Sequence, residues 1–405
     1  MDNNILAGKK IVLGVTGCIA AYKSAYLIRE LVKRGCEVKV LMTPSALQFI
    51  TPLTLSTLSG NEVVVNIFPD SQENGTSHKT WHIDLAVWAD LILVAPCTVN
   101  TAAKIAHGFA DNALTTVIRA ARTPVILSPA ADVDMYQNQA TQKNFTLLEE
   151  LGCFIVPAEE GALASGLSGK GRFPEIEKII DAAELVLAGI KKDLVGKKIL
   201  VTAGPTYEDI DPVRYLGNRS SGKMGYAISK AAYLRGADVT LISGPVSEFS
   251  YPEIKLLHVR SAEEMKNAVT TEIEKNDVLI MSAAVADYTP AGKAVKKIKK
   301  EDNLPVIELK ATDDILASLK ISGKIIAGFA LETDNELANA KNKLIKKNLD
   351  MVVLNSLNDK SSGFEYNTNK ITILKKDGGQ KKYPLLSKFM AANHILTEIN
   401  MIDIK

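Results

Sequence analysis

Two stretches of the chain begin alike: GKKIVLGVTG, from Gly8 to Gly17, and GKKILVTAGP, from Gly196 to Pro205. Each is a short apolar run rich in β-branched residues that stops at glycine, the pattern of a strand buried on both faces. After the first, AAYKSAYLIRELVKRG takes up the helical period and stops at Gly35, and CEVKVLMT is again a strand. After the second, MGYAISKAAYLRG reads as a helix ending at Gly236, and ADVTLIS as a strand. WADLILVAP and NDVLIMSAAVADY read as further buried strands. Apolar strands alternating with helical periods predict parallel sheets covered on both faces. The expected fold is α/β, with two doubly wound Rossmann-like domains. EIEKIIDAAELVLAGIKKDL predicts the helix that ends the first, so the domains are read as 1–190 and 191–405, with the boundary near Lys191.

Composition narrows this little. The 405 residues are too many for one typical domain. Hydrophobic residues make up 46% and charged residues 23%, an ordinary globular balance, and a net charge of +2 predicts neither a nucleic-acid nor an acidic partner. No basic, apolar, small-residue opening predicts a secretion leader, and no run of about 18 apolar residues predicts a membrane span. Cys18, Cys36, Cys97 and Cys153 form no CxxC and no metal-ligand spacing. A reducing, cytoplasmic setting is expected.

In doubly wound folds ligands bind at the carboxyl ends of the strands. In VTGCIAAYK, Thr16 and Gly17 stand between a strand and a helix, a ready anion site, though not GxGxxG. MTPSA adds the hydroxyls of Thr43 and Ser45, and APCTVNT those of Thr98 and Thr101 with the amide of Asn100. Three such loops point to a mononucleotide. His82, one of five histidines, is by itself either a core residue or a chemical one. His107 lies near these loops, while His78, His258 and His394 read as structural or exposed.

In the second half, GNRSSGK fits GxxxxGK, but Met224 follows where a P-loop needs Ser or Thr, and the loop's glycines and N–H groups at a helix start still offer a place for a phosphate or an anionic substrate. Asp287 lies just past a strand end, where a carboxylate holds a metal, a ribose hydroxyl or a helix cap. Lys293, Lys296, Lys297, Lys299 and Lys300 form either a solvated face or a disordered lid over polyphosphate. Phe329 ends an apolar run where it can stack on a base. Lys343 and Lys347 are four apart and share a helix face, as phosphate ligands or as ordinary surface residues.

TGCIAAYK, HIDLAVWADLILVAPCTVNTAAKIAHGFADN and PAADVDMY resemble the motifs of the FMN-dependent cysteine decarboxylases, which include lantibiotic-maturing enzymes and phosphopantothenoylcysteine decarboxylase. The resemblance covers most of the first 175 residues. It implies a flavodoxin-like domain in which Thr16, Gly17, Thr43, Pro96, Thr98, Asn100 and Thr101 cradle FMN. By the same resemblance His82 is the catalytic histidine at a subunit-shared site, assisting oxidation of the substrate thiol. Asp111, Asn112, Met135 and Arg172 would then face substrate or a neighbouring subunit. Two positions depart from the family. Asp132 replaces an asparagine that contacts substrate, so it is either protonated or the substrate carboxylate is held differently. In GALASGLSGKGR, Ser165 replaces the cysteine that protonates an ene-thiolate, and a serine hydroxyl is a far weaker acid than a thiol of pKa about 8.5.

AGPTYEDIDPVRYLGNRSSGKMG, SAAVADY, KKIKK, GFALETDN and AKNKLIKKNLD resemble phosphopantothenate–cysteine ligases, over nearly all of the chain after Lys191. That resemblance implies CTP as co-substrate and Mg²⁺ or Mn²⁺, with Asp287 toward the metal. Asn218 would hold the carbonyl of an acyl-cytidylate, and Arg214 would support the substrate side. Ala283, Asp287, Asp314, Ile315, Phe329, Lys343 and Lys347 would line the CTP site, and Lys297 would act in the second half-reaction.

The fusion resembles the bifunctional bacterial proteins of coenzyme A biosynthesis. It implies small-molecule substrates (4′-phosphopantothenate, cysteine, CTP), no nucleic acid, no membrane, and a homo-oligomer, a dodecamer of trimers with dimeric ligase domains. The alternatives are an active ligase with an impaired decarboxylase, given Asp132 and Ser165, or a non-enzymatic flavin-binding regulator. Relatives of the latter kind carry acidic tails, and none stands here. An NAD-dependent oxidoreductase is disfavoured by the missing GxGxxG.

Overall fold

The computed structural model describes residues 4–68, 80–299, 306–319, 322–332, 334–356, 363 and 366–402. His78 and Lys300 lie outside them. The chain forms two compact units, Asn4–Lys191 and Lys192–Lys405.

The first unit runs β1 (Lys10–Val15), α1 (Lys23–Lys33), β2 (Glu37–Met42), α2 (Pro52–Ser59), β3 (Val63–Val64), α3 (Trp81–Trp88), β4 (Leu91–Cys97), α4 (Val99–Ala106) and α5 (Ala113–Ala120). It continues with β5 (Val125–Pro129), α6 (Val133–Gln137), α7 (Gln139–Glu150), β6 (Phe154–Ile155), the hairpin β7 (Glu159–Ala162) and β8 (Ser168–Arg172), and α8 (Ile176–Leu187). The six-stranded sheet has order 3-2-1-4-5-6 and is parallel throughout. β4 is buried at every position, as its unbroken apolar run requires. Val12, Ile92, Val94 and Leu127 of the sheet pack with Leu114 and Val117 of α5 and Leu148 of α7. The predicted first helix begins instead as a 3₁₀ turn, Ile19–Tyr22, and becomes α-helical at Lys23.

The second unit opens with β9 (Lys198–Ala203), the hairpin β10 (Tyr207–Asp209) and β11 (Tyr215–Gly217), α9 (Lys223–Leu234), β12 (Asp238–Ser243), β13 (Lys255–His258) and α10 (Ala262–Ile273). There follow β14 (Val278–Met281), the hairpin β15 (Tyr288–Pro290) and β16 (Leu309–Ala311), α11 (Ile315–Ser318), β17 (Ile325–Glu332), α12 (Glu336–Lys346) and β18 (Met351–Ser356). Last come β19 (Thr368–Asn369), β20 (Ile371–Lys375), β21 (Gln380–Lys382), β22 (Leu386–Ser387) and α13 (Lys388–Asn400). The eight-stranded sheet has order 13-12-9-14-17-18-20-21. Its first six strands are parallel, and β20 and β21 close one edge antiparallel, which the sequence pattern did not predict. Leu200, Leu279, Ile326 and Val352 of the sheet pack with Val269 of α10 and Leu344 of α12.

One strand is shorter than expected. NDVLIMSAAVADY reads as strand throughout, but β14 stops at Met281. Beyond it the backbone turns to other partners. The Ala283 amide donates to Thr202 Oγ1, the Ala284 amide to the Gly204 carbonyl and the Ala286 amide to Thr206 Oγ1. Ser282–Asp287 thereby becomes a loop over the strand ends. Among the described residues no helix is long and apolar enough to cross a membrane.

Candidate functional site

In the first sheet, successive strands run one way from β1 to β2 and β3 and the other way from β4, so the crevice of a doubly wound fold opens between the carboxyl ends of β1 and β4. Thr16 spans it. Its fully buried hydroxyl donates to the Pro96 carbonyl at 2.8 Å and accepts from the Thr98 amide at 2.9 Å. Thr98 then caps α4, its side chain accepting from the Thr101 amide, with Thr98 Oγ1 3.1 Å from Thr101 Oγ1. On the other side Thr43 Oγ1 lies 3.2 Å from Ser45 Oγ. Gly17 touches that loop so closely that an added Cβ would fall 2.5–2.7 Å from the Oγ, Cβ and carbonyl carbon of Ser45. Asn100 is exposed on the first turn of α4. The structure therefore gathers Thr16, Gly17 and Thr43 with Pro96, Thr98, Asn100 and Thr101 at three neighbouring strand ends.

Hydroxyls and helix-start amides suit an anion. Exposed Ile19, Tyr22 and Phe49 on the same loops supply apolar surface. Thr16→Val removes both hydrogen bonds of the hydroxyl and leaves the Pro96 carbonyl and the Thr98 amide unpaired. The expected loss is about 1–3 kcal/mol of first-unit stability, read from urea unfolding with the fluorescence of Trp81 and Trp88, the two tryptophans of the chain, as the probe.

The β7–β8 hairpin packs on the loop after β5. The Ala131 amide donates to the Gly171 carbonyl at 3.0 Å. A Cβ at Gly171 would fall 2.3 Å from the Ala131 carbonyl oxygen, so only glycine lets the two backbones meet. Asp132, half-buried, follows that contact at the start of α6 and makes no cap bond with its side chain. Met135 is exposed on the same helix. Ser165 is exposed in the hairpin turn, where its Oγ accepts from the Leu167 amide at 3.4 Å. Arg172 ends β8 and donates to Glu175. The two departures from the family thus lie on adjoining segments.

His82 is the second residue of α3, half-buried, with its ring edge-on to Trp81 at 5.8 Å and no hydrogen bond among the described residues. His107 Nε2 is 3.0 Å from Asn144 Oδ1, a link between α4 and α7. Asn112 caps α5, its Oδ1 accepting from the Thr115 amide and its Nδ2 donating to Asp111. Asp111 also pairs with Lys104, whose ammonium holds the carboxyl below its usual range.

In the second unit a cavity of about 700 Å³ opens over the ends of β14 and β17 and the starts of α9 and α11. Its size is typical of ligand sites. Asn218, Ala283, Asp287, Asp314, Ile315, Phe329, Lys343 and Lys347 all line it. Asn218 Nδ2 donates to the Ala284 and Val285 carbonyls, each at 3.1 Å, and so fixes the loop after β14. Lys343 Nζ donates to the Phe329 carbonyl at 2.7 Å, and burial pushes its pKa down. Lys347 pairs with Asp314, which also caps α11. The Asp287 carboxylate is exposed at the rim. Among the described residues no group of three or more His, Cys, Asp or Glu could hold a metal.

Arg214 and Lys297 do not line this cavity. Arg214 lies in the β10–β11 turn, where Nε and Nη2 grip the Asp211 carboxylate at 3.0 and 2.6 Å and Nη2 also donates to the Ile298 carbonyl. Burial alone would raise the Asp211 pKa, but the Val213 amide and the Arg214 guanidinium hold it well below the usual range. The Ile298 amide donates to the same carboxylate, and Lys293 pairs with Asp209. The described part of the lysine-rich segment is therefore tied to the hairpin at Ile298 and Lys293. Lys223, the last residue of GNRSSGK, lines the cavity, and so do Lys388, Asn355 and Asn369, which carry no signal in the sequence. Lys388 stands far along the chain from every recognisable motif, and only the fold brings it there.

Geometry thus defines a two-domain α/β protein with a mononucleotide-type crevice in one unit and a cation-lined cavity in the other. The flavoprotein family profile matches residues 2–187, and the profile of the DNA/pantothenate metabolism flavoprotein C-terminal domain matches residues 194–402. The chain is 44% identical to the coenzyme A biosynthesis bifunctional protein CoaBC of Bacillus subtilis over 401 residues, 98% of this chain and 97% of that protein. It is 41% identical to the Escherichia coli K12 protein of the same name over 400 residues, 97% of each. A cysteine/cysteine sulfinic acid decarboxylase from an unknown prokaryotic organism is 46% identical over 357 residues, 86% of this chain and 98% of that protein. Among solved structures, the C-terminal domain of a CoaBC protein is 42% identical and covers 51% of this chain and 96% of its own, with a TM-score of 0.44. The chain belongs to the family of bifunctional coenzyme A biosynthesis proteins.

Proposed function

We infer that this chain catalyses two successive steps of coenzyme A biosynthesis. The second unit ligates 4′-phosphopantothenate to cysteine at the expense of CTP. The first decarboxylates the product to 4′-phosphopantetheine. The observation that carries this reading is the match along 98% of the chain to a bifunctional relative, with a separate site in each unit.

In the ligase step a carboxylate oxygen attacks the α-phosphorus of CTP and pyrophosphate leaves. The cysteine amine then displaces CMP. Lys343 and Lys347 neutralise phosphate charge, and Phe329 offers its ring to the base. Asn218, held by two carbonyls, orients the acyl group, and Lys297 assists the amine's attack. The donor set fits Mg²⁺ held by substrate phosphates and water with Asp287 as a protein ligand, because Mg²⁺ keeps several waters and needs no closed cage.

In the decarboxylase step the residues fit FMN. Gly17 allows the close approach of the loops, the hydroxyls and helix starts suit its phosphate, and Ile19, Tyr22 and Phe49 suit its ring. Held by these loops, FMN would supply two-electron redox chemistry, as acceptor and then as hydride donor, to the cysteinyl carbon–sulfur unit. His82 takes the thiol proton at a ring nitrogen. Ser165 Oγ, on the hairpin packed against Asp132's loop, delivers a proton to the carbon that lost carbon dioxide. The protein is a cytoplasmic homo-oligomer in this reading.

Mass spectrometry after incubation with 4′-phosphopantothenate, cysteine, Mg²⁺ and CTP tests it. Phosphopantetheine is expected. Arrest at phosphopantothenoylcysteine, or at a species two hydrogens short of phosphopantetheine, refutes the second step. No CMP refutes the first.

A further inference from the structure

Every residue of the loop Ser282–Asp287 lines the second unit's cavity. The loop's carbonyls from Ala284 to Asp287 are all engaged. Asn218 Nδ2 donates to the first two, each at 3.1 Å, the Thr312 hydroxyl to the third at 2.6 Å and the Thr312 amide to the fourth at 2.9 Å. Three loop amides are engaged as well. Ala283 donates to Thr202 Oγ1 at 3.1 Å, Ala284 to the Gly204 carbonyl at 2.9 Å and Ala286 to Thr206 Oγ1 at 2.9 Å. The amides of Val285 and Asp287 have no acceptor among the described residues. From Ala284 onward the loop therefore presents backbone donors rather than acceptors, and donors suit carboxylate or phosphate oxygens. Two side chains outside the cavity set this pattern. Thr202 and Thr206 are fully buried, neither lines the cavity, and each hydroxyl takes one loop amide. Ala286 is itself buried, so without Thr206 Oγ1 its amide is left unpaired and the loop must shift to find another acceptor.

We propose that Thr202 and Thr206 are positioning residues for the ligase step, holding Ser282–Asp287 so that the Val285 and Asp287 amides meet the acceptor oxygens of the substrates. The proposal rests on the ligase reading. Neither hydroxyl touches a substrate. Both act through the loop, by taking the amides of Ala283 and Ala286 and leaving those of Val285 and Asp287 for the cavity. Donors fixed before the reaction need no rearrangement as charge moves from the attacking carboxylate to the leaving pyrophosphate, and a loop displaced by a fraction of its own hydrogen-bond length loses that advantage. Thr→Val keeps the shape of the side chain and removes the acceptor, whereas Thr→Ser keeps the acceptor.

Two measurements on the full chain test it: CTP-dependent formation of CMP, expressed per folded molecule, and hydrogen exchange of the loop amides followed by mass spectrometry. Thr206→Val is expected to lower kcat by roughly 10- to 100-fold and to speed exchange in the loop peptide while the rest of the second unit keeps its wild-type protection. Thr206→Ser should restore both to within about threefold of wild type. A merely structural role would lower the folded fraction and speed exchange throughout the unit, with kcat per folded molecule unchanged, and that result overturns the proposal. So does a Thr206→Ser variant as slow as Thr206→Val, since the hydroxyl is then not what matters. If Thr206→Val does not fold by circular dichroism, Thr202→Val, which removes the Ala283 bond, decides by the same criteria. Wild-type protein that forms no CMP from CTP sinks the ligase reading, and the exchange result then still decides whether the two hydroxyls hold the loop.

Discussion

His82→Asn stops carbon dioxide release from phosphopantothenoylcysteine, with a loss of about 10²- to 10⁴-fold in kcat, while FMN content and CTP-dependent ligation stay unchanged. The structure lets the two consequences separate. His82 is half-buried on α3, touches Trp81 edge-on, and makes no hydrogen bond among the described residues. Its helix is held by other means, since Trp81 Nε1 donates to the Ile67 carbonyl and Ala86 is buried in the core. Asparagine therefore removes a proton acceptor without removing a support. The measurement is carbon dioxide release alongside the flavin-to-protein absorbance ratio. If flavin content falls in step with activity, His82 is a packing residue and the proposed role is wrong.

Gly17→Ala releases the flavin. The new Cβ would fall 2.6–2.7 Å from the Ser45 Cβ and carbonyl carbon, and backbone atoms cannot swing aside as a side-chain tip can. Either the loop after β1 or the loop after β2 must move, and both carry the proposed FMN contacts. Loss of affinity by at least about a hundredfold is expected, since overpacking of a tight site commonly costs 1–3 kcal/mol and the phosphate contacts are lost with it. Purified Gly17→Ala protein should be colourless while CTP-dependent formation of CMP continues, because that site is built wholly within the other unit. A yellow preparation with wild-type flavin content would remove Gly17 from the cradle.

The parallel strands were legible because a strand buried on both faces must be apolar at nearly every position. β1, β4, β9 and β12 announce themselves in that way. The antiparallel edge β20–β21 was not, since exposed GGQKK carries no burial signal and its partner is chosen by the fold. NDVLIMSAAVADY misled for a related reason. Small apolar residues serve a loop packed over strand ends as well as they serve a strand, and the hydroxyls of Thr202 and Thr206 that draw the loop in lie about 80 residues away in sequence. At the sites, residues held in short motifs could be read. Lys223 could be read only as part of the GxxxxGK match, and Lys388 was invisible, because only the fold brings it to the cavity.

The Asp211–Arg214–Ile298 knot changes how substitutions there should be interpreted. Arg214 binds its own hairpin and the backbone next to Lys297. If Lys297 acts as proposed, a kinetic defect at Arg214 can reach substrate through that lysine, as slack in a tether, as well as through any contact of its own. The hairpin sets the reach of the lysine, and the two positions form one mechanical element whose effects overlap rather than add.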